Sequence, residues 1–269
     1  MHNVGGGRSK EKEMREYSID SRYNYQSRTV TKGTQEKYEK NGYYYKINKA
    51  GNEGYVEYIV YRVLSKSTLD DNMYVKYEYC KINGKSGCRS KSFLGENEVF
   101  VTMNTLYEKM TGRCDLPDKL MALANAKERL EYILDIADGA GIDREKYKTY
   151  MQIMMQIDWI IENTDRHVHN YGILYNREDD TFRLAPIFDN GMSLNTDRKN
   201  NKTACTLSGS FSDQVVAFGY PIVPAFKIDY AGLRRDLKRI EQTYGKHMEL
   251  DVLKSRLAEV QGIFDGKAL

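Results

Sequence analysis

The chain has 269 residues, enough for one large domain or two intimate lobes. Hydrophobic residues make up 41% and charged residues 29%, a balance of soluble globular proteins rather than disordered or membrane-spanning ones. The 41 basic and 38 acidic side chains leave a net charge of +3, which gives no electrostatic case for nucleic acid or a membrane surface as partner.

The start, MHNVGGGRSKEKEMREY, is polar and unlike a signal peptide, and no apolar run reaches the length of a membrane span. Cys80, Cys88, Cys114 and Cys205 show neither a CxxC pair nor zinc-finger spacing, so they read as reduced thiols of a cytoplasmic protein. On that reading the Asn201-Lys202-Thr203 sequon carries no weight.

Residues 1–26, with their Gly5-Gly6-Gly7 run, read as a flexible tail. From residue 27 the pattern turns to strands. Asn41-Gly42 lies between two β-prone stretches, the strongest short hairpin signal. GNEGYVEYIVYRVLSKS then places Tyr55, Tyr58, Ile59 and Arg62/Val63 at helical spacing. Alternation resumes in MYVKYEYCKINGKSGCRSKSF around a second Asn-Gly turn, Asn83-Gly84, and EVFVTM adds one more short strand. Residues 27–104 are thus expected to form one antiparallel sheet with a single helix inserted.

Residues 105–269 read as mostly helical. AKERLEYILDIADGAG is amphipathic with a glycine stop. The next helix starts at the cap Asp143 and becomes apolar nearly all round, which predicts a buried central position. YGILYN and FRLAPIFD, joined by the polar REDD, predict a small hairpin, and residues 228–265 predict two amphipathic helices joined around Gly245. The fold expected is α+β, with a β-rich lobe followed by a mostly helical one.

The chemistry concentrates in Asn163-Thr164-Asp165-Arg166-His167-Val168-His169-Asn170 and in Phe188-Asp189-Asn190-Gly191. Phosphoryl transfer asks little covalent work of a protein. It needs a carboxylate to accept the hydroxyl proton, hard oxygen ligands for Mg²⁺ and a cation on the phosphates. Asp165 with Asn170 five positions on, in a loop after a buried helix, supplies a base and a metal ligand. Asp189, after the hairpin, supplies the second ligand. Either Asp alone is more often an ordinary helix-end or turn residue; the kinase reading comes from the pair in its helix–loop–hairpin context. His167-x-His169 without a further His or Cys ligand is weak for zinc, and His167 reads as a brace of the loop. In the first lobe Lys46 is expected to project from a strand, where its cation would hold the phosphates, and Glu57 on the following helix would pair with it, with Glu53 a close competitor; alone, each is more often a solvated surface charge. Gly33, Thr34 and Gln35 form a polar turn whose N–H groups would cover phosphates.

These residues resemble the HipA-like protein kinases of bacteria. The most specific match is NTDRHVHNYGIL followed by RLAPIFDNG, within residues 157–195; GTQEK resembles the family's phosphate loop, and YYYK with EGYVEYIV its lysine strand and glutamate helix. SGSFSDQV, at 208–215, also looks family-like, without a mechanism. The resemblance implies a two-lobed kinase fold binding ATP and Mg²⁺, and Ser/Thr phosphorylation of a protein. Asp165 would be the catalytic base, Asn170 and Asp189 the Mg²⁺ ligands, and Lys46 the phosphate cation. Members that phosphorylate their own phosphate loop point to Thr29, Thr31 and Thr34 as acceptors. Some members are toxins held by a DNA-binding antitoxin, so a regulatory partner of that kind is implied, although the extra N-terminal subdomain used for antitoxin contact does not fit in this length. Asp189-Asn190-Gly191 replaces the DFG of ordinary protein kinases, so their activation-loop rules are not carried over. Two alternatives share the same residues: a lipid or small-molecule kinase with the same DRHxxN loop, and an inactive kinase fold serving as a binding or regulatory module.

Overall fold

The computed structural model describes residues 14–24, 35–49, 51–194 and 210–265. Its first sheet is five-stranded, in the order β1 (Glu16–Tyr17), β4 (Tyr77–Ile82), β5 (Lys85–Lys91), β3 (Tyr43–Ile47), β2 (Lys37–Lys40). Both Asn-Gly pairs form the expected two-residue turns. Asn41 and Gly42, and likewise Asn83 and Gly84, all have φ between 51° and 79°, the left-handed conformation that Asn and Gly adopt most readily.

Side-chain alternation explains what each face of this sheet does. Tyr38, Tyr45, Ile47, Cys80 and Ile82 cluster on the outer face. Tyr77, Tyr79 and Cys88 turn inward, against α1 (Glu53–Leu64). The approach of α1 is close because Gly54 has no side chain: a Cβ there would lie 2.5 Å from the Gly87 carbonyl carbon.

Two sequence expectations are corrected here. Residues 14–24 do not behave as a tail: β1 pairs in parallel with β4, and the Asn83 side chain bonds the Ile19 N–H (2.7 Å) and C=O (2.9 Å). The physical reason is that Tyr17 and Ile19 alternate onto the outer aromatic face and cover it. The second correction concerns β6 (Glu98–Thr102), which does not join the first sheet but pairs with β7 (Gly172–Asn176) in a three-stranded antiparallel sheet completed by β8 (Thr181–Leu184). Phe100 on β6 packs edge-on against both Phe188, just beyond β8, and Phe93, whose ring lies tilted against Phe188.

The helical part contains α2 (Met103–Thr111), α3 (Leu116–Ala122), α4 (Ala126–Gly139), α5 (Arg144–Ile160), α6 (Phe211–Phe218), α7 (Tyr230–Tyr244) and α8 (Met248–Phe264). The Asp143 side chain caps α5 by accepting the Lys146 N–H at 2.8 Å. As its composition implied, α5 is buried on most sides and centres the main core, which runs continuously into α1. No helix among the described residues is long and apolar enough to cross a membrane.

Candidate active site

Lys46 points inward because its neighbours Tyr45 and Ile47 point outward. Its Nζ lies 2.8 Å from Asp189 Oδ1 and 3.4 Å from Glu57 Oε1. Glu57 is buried and also accepts the Asn190 backbone N–H through Oε2 at 3.0 Å. Glu53, the competitor for this role, instead accepts backbone N–H groups of Lys49 and Gly51. Gly191 packs against Glu53 and Glu57, where a Cβ would sit 3.2 Å from the Glu53 carbonyl. Strand β3, helix α1 and the Asp-Asn-Gly loop therefore meet at one point.

Electrostatics follow from this packing. Burial opposes charge on Lys46, but Asp189, Tyr77 and Glu57 outweigh it and hold the pKa well above the usual lysine value. Burial likewise opposes ionisation of Asp189, yet Lys46 and then Lys37 hold its carboxyl well below the ordinary range. Glu57 goes the other way: burial raises its pKa, against the pull of Lys46. The Asp189 side chain keeps 34% of its surface accessible, so an ionised carboxylate faces the cleft.

The Asp165 loop is built from its buried polar groups. After α5, Asn163 donates to Asp158 Oδ1 (3.0 Å) and accepts the Asp165 N–H (3.0 Å), a local turn held by a side chain. Arg166 is fully buried and grips Asp158 with Nη2 at 3.0 Å and Nε at 3.1 Å. The same guanidinium donates to the Phe188 carbonyl and, at 2.6 Å, to Asn190 Oδ1. It thereby ties the Asp165 loop to the Asp189 loop. The Asn170 amide donates to the Asp165 carbonyl at 3.2 Å, and His167 Nδ1 accepts the His169 N–H at 3.3 Å, so both brace the loop.

A cleft of about 310 Å³ opens over these groups, lined by Gln35, Lys37, Lys46, Glu57, Asp165, His167 and Asp189 among others. Six of these seven were singled out from sequence. Asn170 is buried a step behind the cleft rather than among its lining residues. Gly33 and Thr34, with Thr29 and Thr31, lie outside the described residues, as do Asn201, Cys205 and the first two residues of SGSFSDQV.

Sequence reasoning missed Asp158, and gave Lys37, Arg166 and Asn190 no role of their own although they lie within the motifs it singled out. Lys37 stands directly opposite Lys46 in the β2–β3 register. Burial, then the charge of Lys46, lowers its pKa. The signal available was the hairpin itself: Asn41-Gly42 fixes the register, and the register pairs the two lysines.

The donor set fits a nucleotide with Mg²⁺. Among the described residues no cluster of three or more His, Cys, Asp or Glu could hold a metal by itself. Mg²⁺ needs no such cage, since it is bound through one or two carboxylates with waters and substrate phosphates. The ionised Asp189 beside two lysines offers that chemistry.

A curled sheet carrying a lysine, a helix carrying its glutamate and a helical part carrying the two Asp loops define a protein-kinase-like fold. The Helicobacter pylori proinflammatory kinase CtkA has a similar structure, with a TM-score of 0.62 over 87% of this chain and 94% of CtkA, at 16% sequence identity. The chain matches no protein-family model and no curated protein sequence.

Proposed function

We propose that the protein is an ATP- and Mg²⁺-dependent HipA-like kinase that transfers the γ-phosphate to a Ser or Thr hydroxyl of a protein, itself included. The observation that carries this reading is Lys46, held between Glu57 and Asp189 in a cleft that Asp165 also lines. A binding module has no use for that set, whereas phosphoryl transfer uses each member. The kinase-like fold shared with CtkA supports it.

Lys46 and Lys37 hold the phosphates, and Gln35 lies at the same mouth of the cleft. Asp189 is the principal metal ligand in this reading, with Asn170 the second. Bound Mg²⁺ would supply charge neutralisation on the phosphate oxygens. Asp165 orients the acceptor hydroxyl and takes its proton as the oxygen bonds to the γ-phosphorus and the bond to ADP breaks. His167 and Arg166 keep the Asp165 loop in shape. We place the protein in the cytoplasm, acting on a protein substrate and answering to a regulatory partner.

Incubation with γ-labelled ATP and Mg²⁺, beside Asp165→Asn, tests this. The expected result is label on Ser or Thr that falls by about 10²–10⁴-fold in the variant, the usual worth of a positioned base, while ATP binding persists. Wild-type turnover by the variant would remove Asp165 from its role. Label on lipid or a small molecule instead of protein would move the substrate class, and no turnover with any acceptor would leave a binding module.

A further inference from the structure

Glu57 is only as well placed as the helix that carries it. At about 100° per residue, Asn52, Tyr55, Tyr58 and Arg62 share one side of α1 and Glu57 lies on the other. The first side is covered by the last two helices of the chain. At the N-terminal end the Asn52 amide donates to Glu249 Oε1 at 3.0 Å, and the Tyr55 ring stacks on His247 with centroids 4.0 Å apart. In the middle, Tyr244 makes edge contacts with Tyr55, Tyr58 and Tyr79. At the C-terminal end Arg62 pairs with Asp236 at 2.6 Å, with only 26% and 14% of the two side chains accessible. Beyond it the chain is stitched to the approach to α7: Thr68 N–H donates to the Lys227 carbonyl at 2.9 Å and Asp229 N–H to the Lys66 carbonyl at 2.7 Å.

These contacts are of three chemical kinds and span the whole helix, so α1 is restrained at both ends and along its length. Displacing it would require breaking an ion pair, a hydrogen-bonded bridge and an aromatic lattice together. We propose that the α7–α8 hairpin is a built-in clamp that holds α1, and with it Glu57, against Lys46. Asp236, Tyr244 and Arg62 are then positioning residues for phosphoryl transfer, acting through Glu57 without touching the substrate. The inference rests on the kinase reading above and adds a regulatory consequence to it. The lysine–glutamate pair is assembled by the chain's own C-terminal helices, so no separate protein has to bring the glutamate helix in.

The test is a double-mutant cycle read by two independent measurements. Arg62→Glu is expected to lower kcat about tenfold, and adding Asp236→Arg to restore it to within about twofold, as contacting pairs that couple do. In a Glu57→Gln background the same Arg62→Glu should change kcat by less than about twofold, because its effect already runs through Glu57. Effects that multiply instead would show a merely structural role and overturn the proposal. Hydrogen exchange supplies the second reading. Residues 53–64 should exchange faster in Arg62→Glu, and in Tyr244→Ala should the first variant not fold, while α4 and α5 keep their protection. Unchanged exchange in α1 overturns the clamp whatever the kinetics. A wild-type protein that turns over no ATP sinks the kinase reading, and the exchange measurement still decides whether the hairpin restrains the helix.

Discussion

Lys37 and Lys46 stand opposite each other across the β2–β3 ladder, and like charges at that spacing repel unless an anion lies beside them. Asp189 and Glu57 answer Lys46 directly. Burial takes Lys37 out of water and, with the charge of Lys46, outweighs the pull of Asp189 and Glu57, so its charged form is disfavoured. Such a group raises the free energy of the folded protein at neutral pH, and the cost is relieved only as pH rises through its depressed pKa. Lys37→Met should therefore do what few substitutions do and raise Tm, by about 2 °C, while weakening ATP binding. A thermal-shift titration with and without ATP checks both halves; a lower Tm with unchanged ATP affinity would take Lys37 out of the phosphate site. Lys46 and Glu57 were legible in the sequence because strand alternation and helical spacing are local. Lys37, Asp158 and Arg166 were not, because their meaning lies in register and burial. An Arg in a polar loop gives no sign that it will be fully buried between an Asp on the preceding helix and the carbonyl of Phe188.

At the scale of elements, the site depends on how closely α1 can approach the first sheet. Gly54 makes the approach, with the Gly87 and Cys88 backbone where a side chain would be. Alanine there has two opposed effects. It would gain up to about 1 kcal/mol of helix propensity, less in the first turn. It would also set a methyl 2.5 Å from the Gly87 carbonyl carbon, and backbone cannot swing aside as a side chain can. Overpacking of this kind costs about 1–3 kcal/mol, so the steric effect wins. Gly54→Ala should lower stability in urea unfolding and lower kcat further than stability alone explains, because α1 moves away from Lys46. A variant as stable and active as wild type would mean that the helix position does not matter. The two Asn-Gly hairpins, the buried α5 and the terminal pair of helices were readable in advance, since each follows from turn chemistry or periodicity within a few residues. β1 and β6 were not. Two residues of strand carry no periodicity, and nothing in Glu98–Thr102 says that its partner lies some seventy residues on in Gly172–Asn176.

Taken whole, the molecule joins its two parts through one continuous apolar core and, at the cleft, through a few charged groups, of which Asp189 is paired with Lys46 of the first sheet. Its carboxylate is paired with Lys46 at 2.8 Å, so Mg²⁺ arriving by itself competes with an ion pair already made. A nucleotide phosphate that draws Lys46 toward itself leaves that oxygen to the metal, and a metal on Asp189 leaves Lys46 to the phosphate. Each ligand thereby removes what opposes the other, and linkage makes the effect reciprocal. Differential scanning fluorimetry with Mg²⁺ alone, with a non-hydrolysable ATP analogue alone and with both should show a combined Tm shift exceeding the sum by about 3–6 °C, which corresponds to a coupling of about 1–2 kcal/mol. Lys46→Met should abolish the excess and increase the shift from Mg²⁺ alone, because Asp189 then has no lysine to give up. Strictly additive shifts in the wild-type protein would show that the Lys46–Asp189 pair does not gate metal binding, and would count against Asp189 as the proposed ligand.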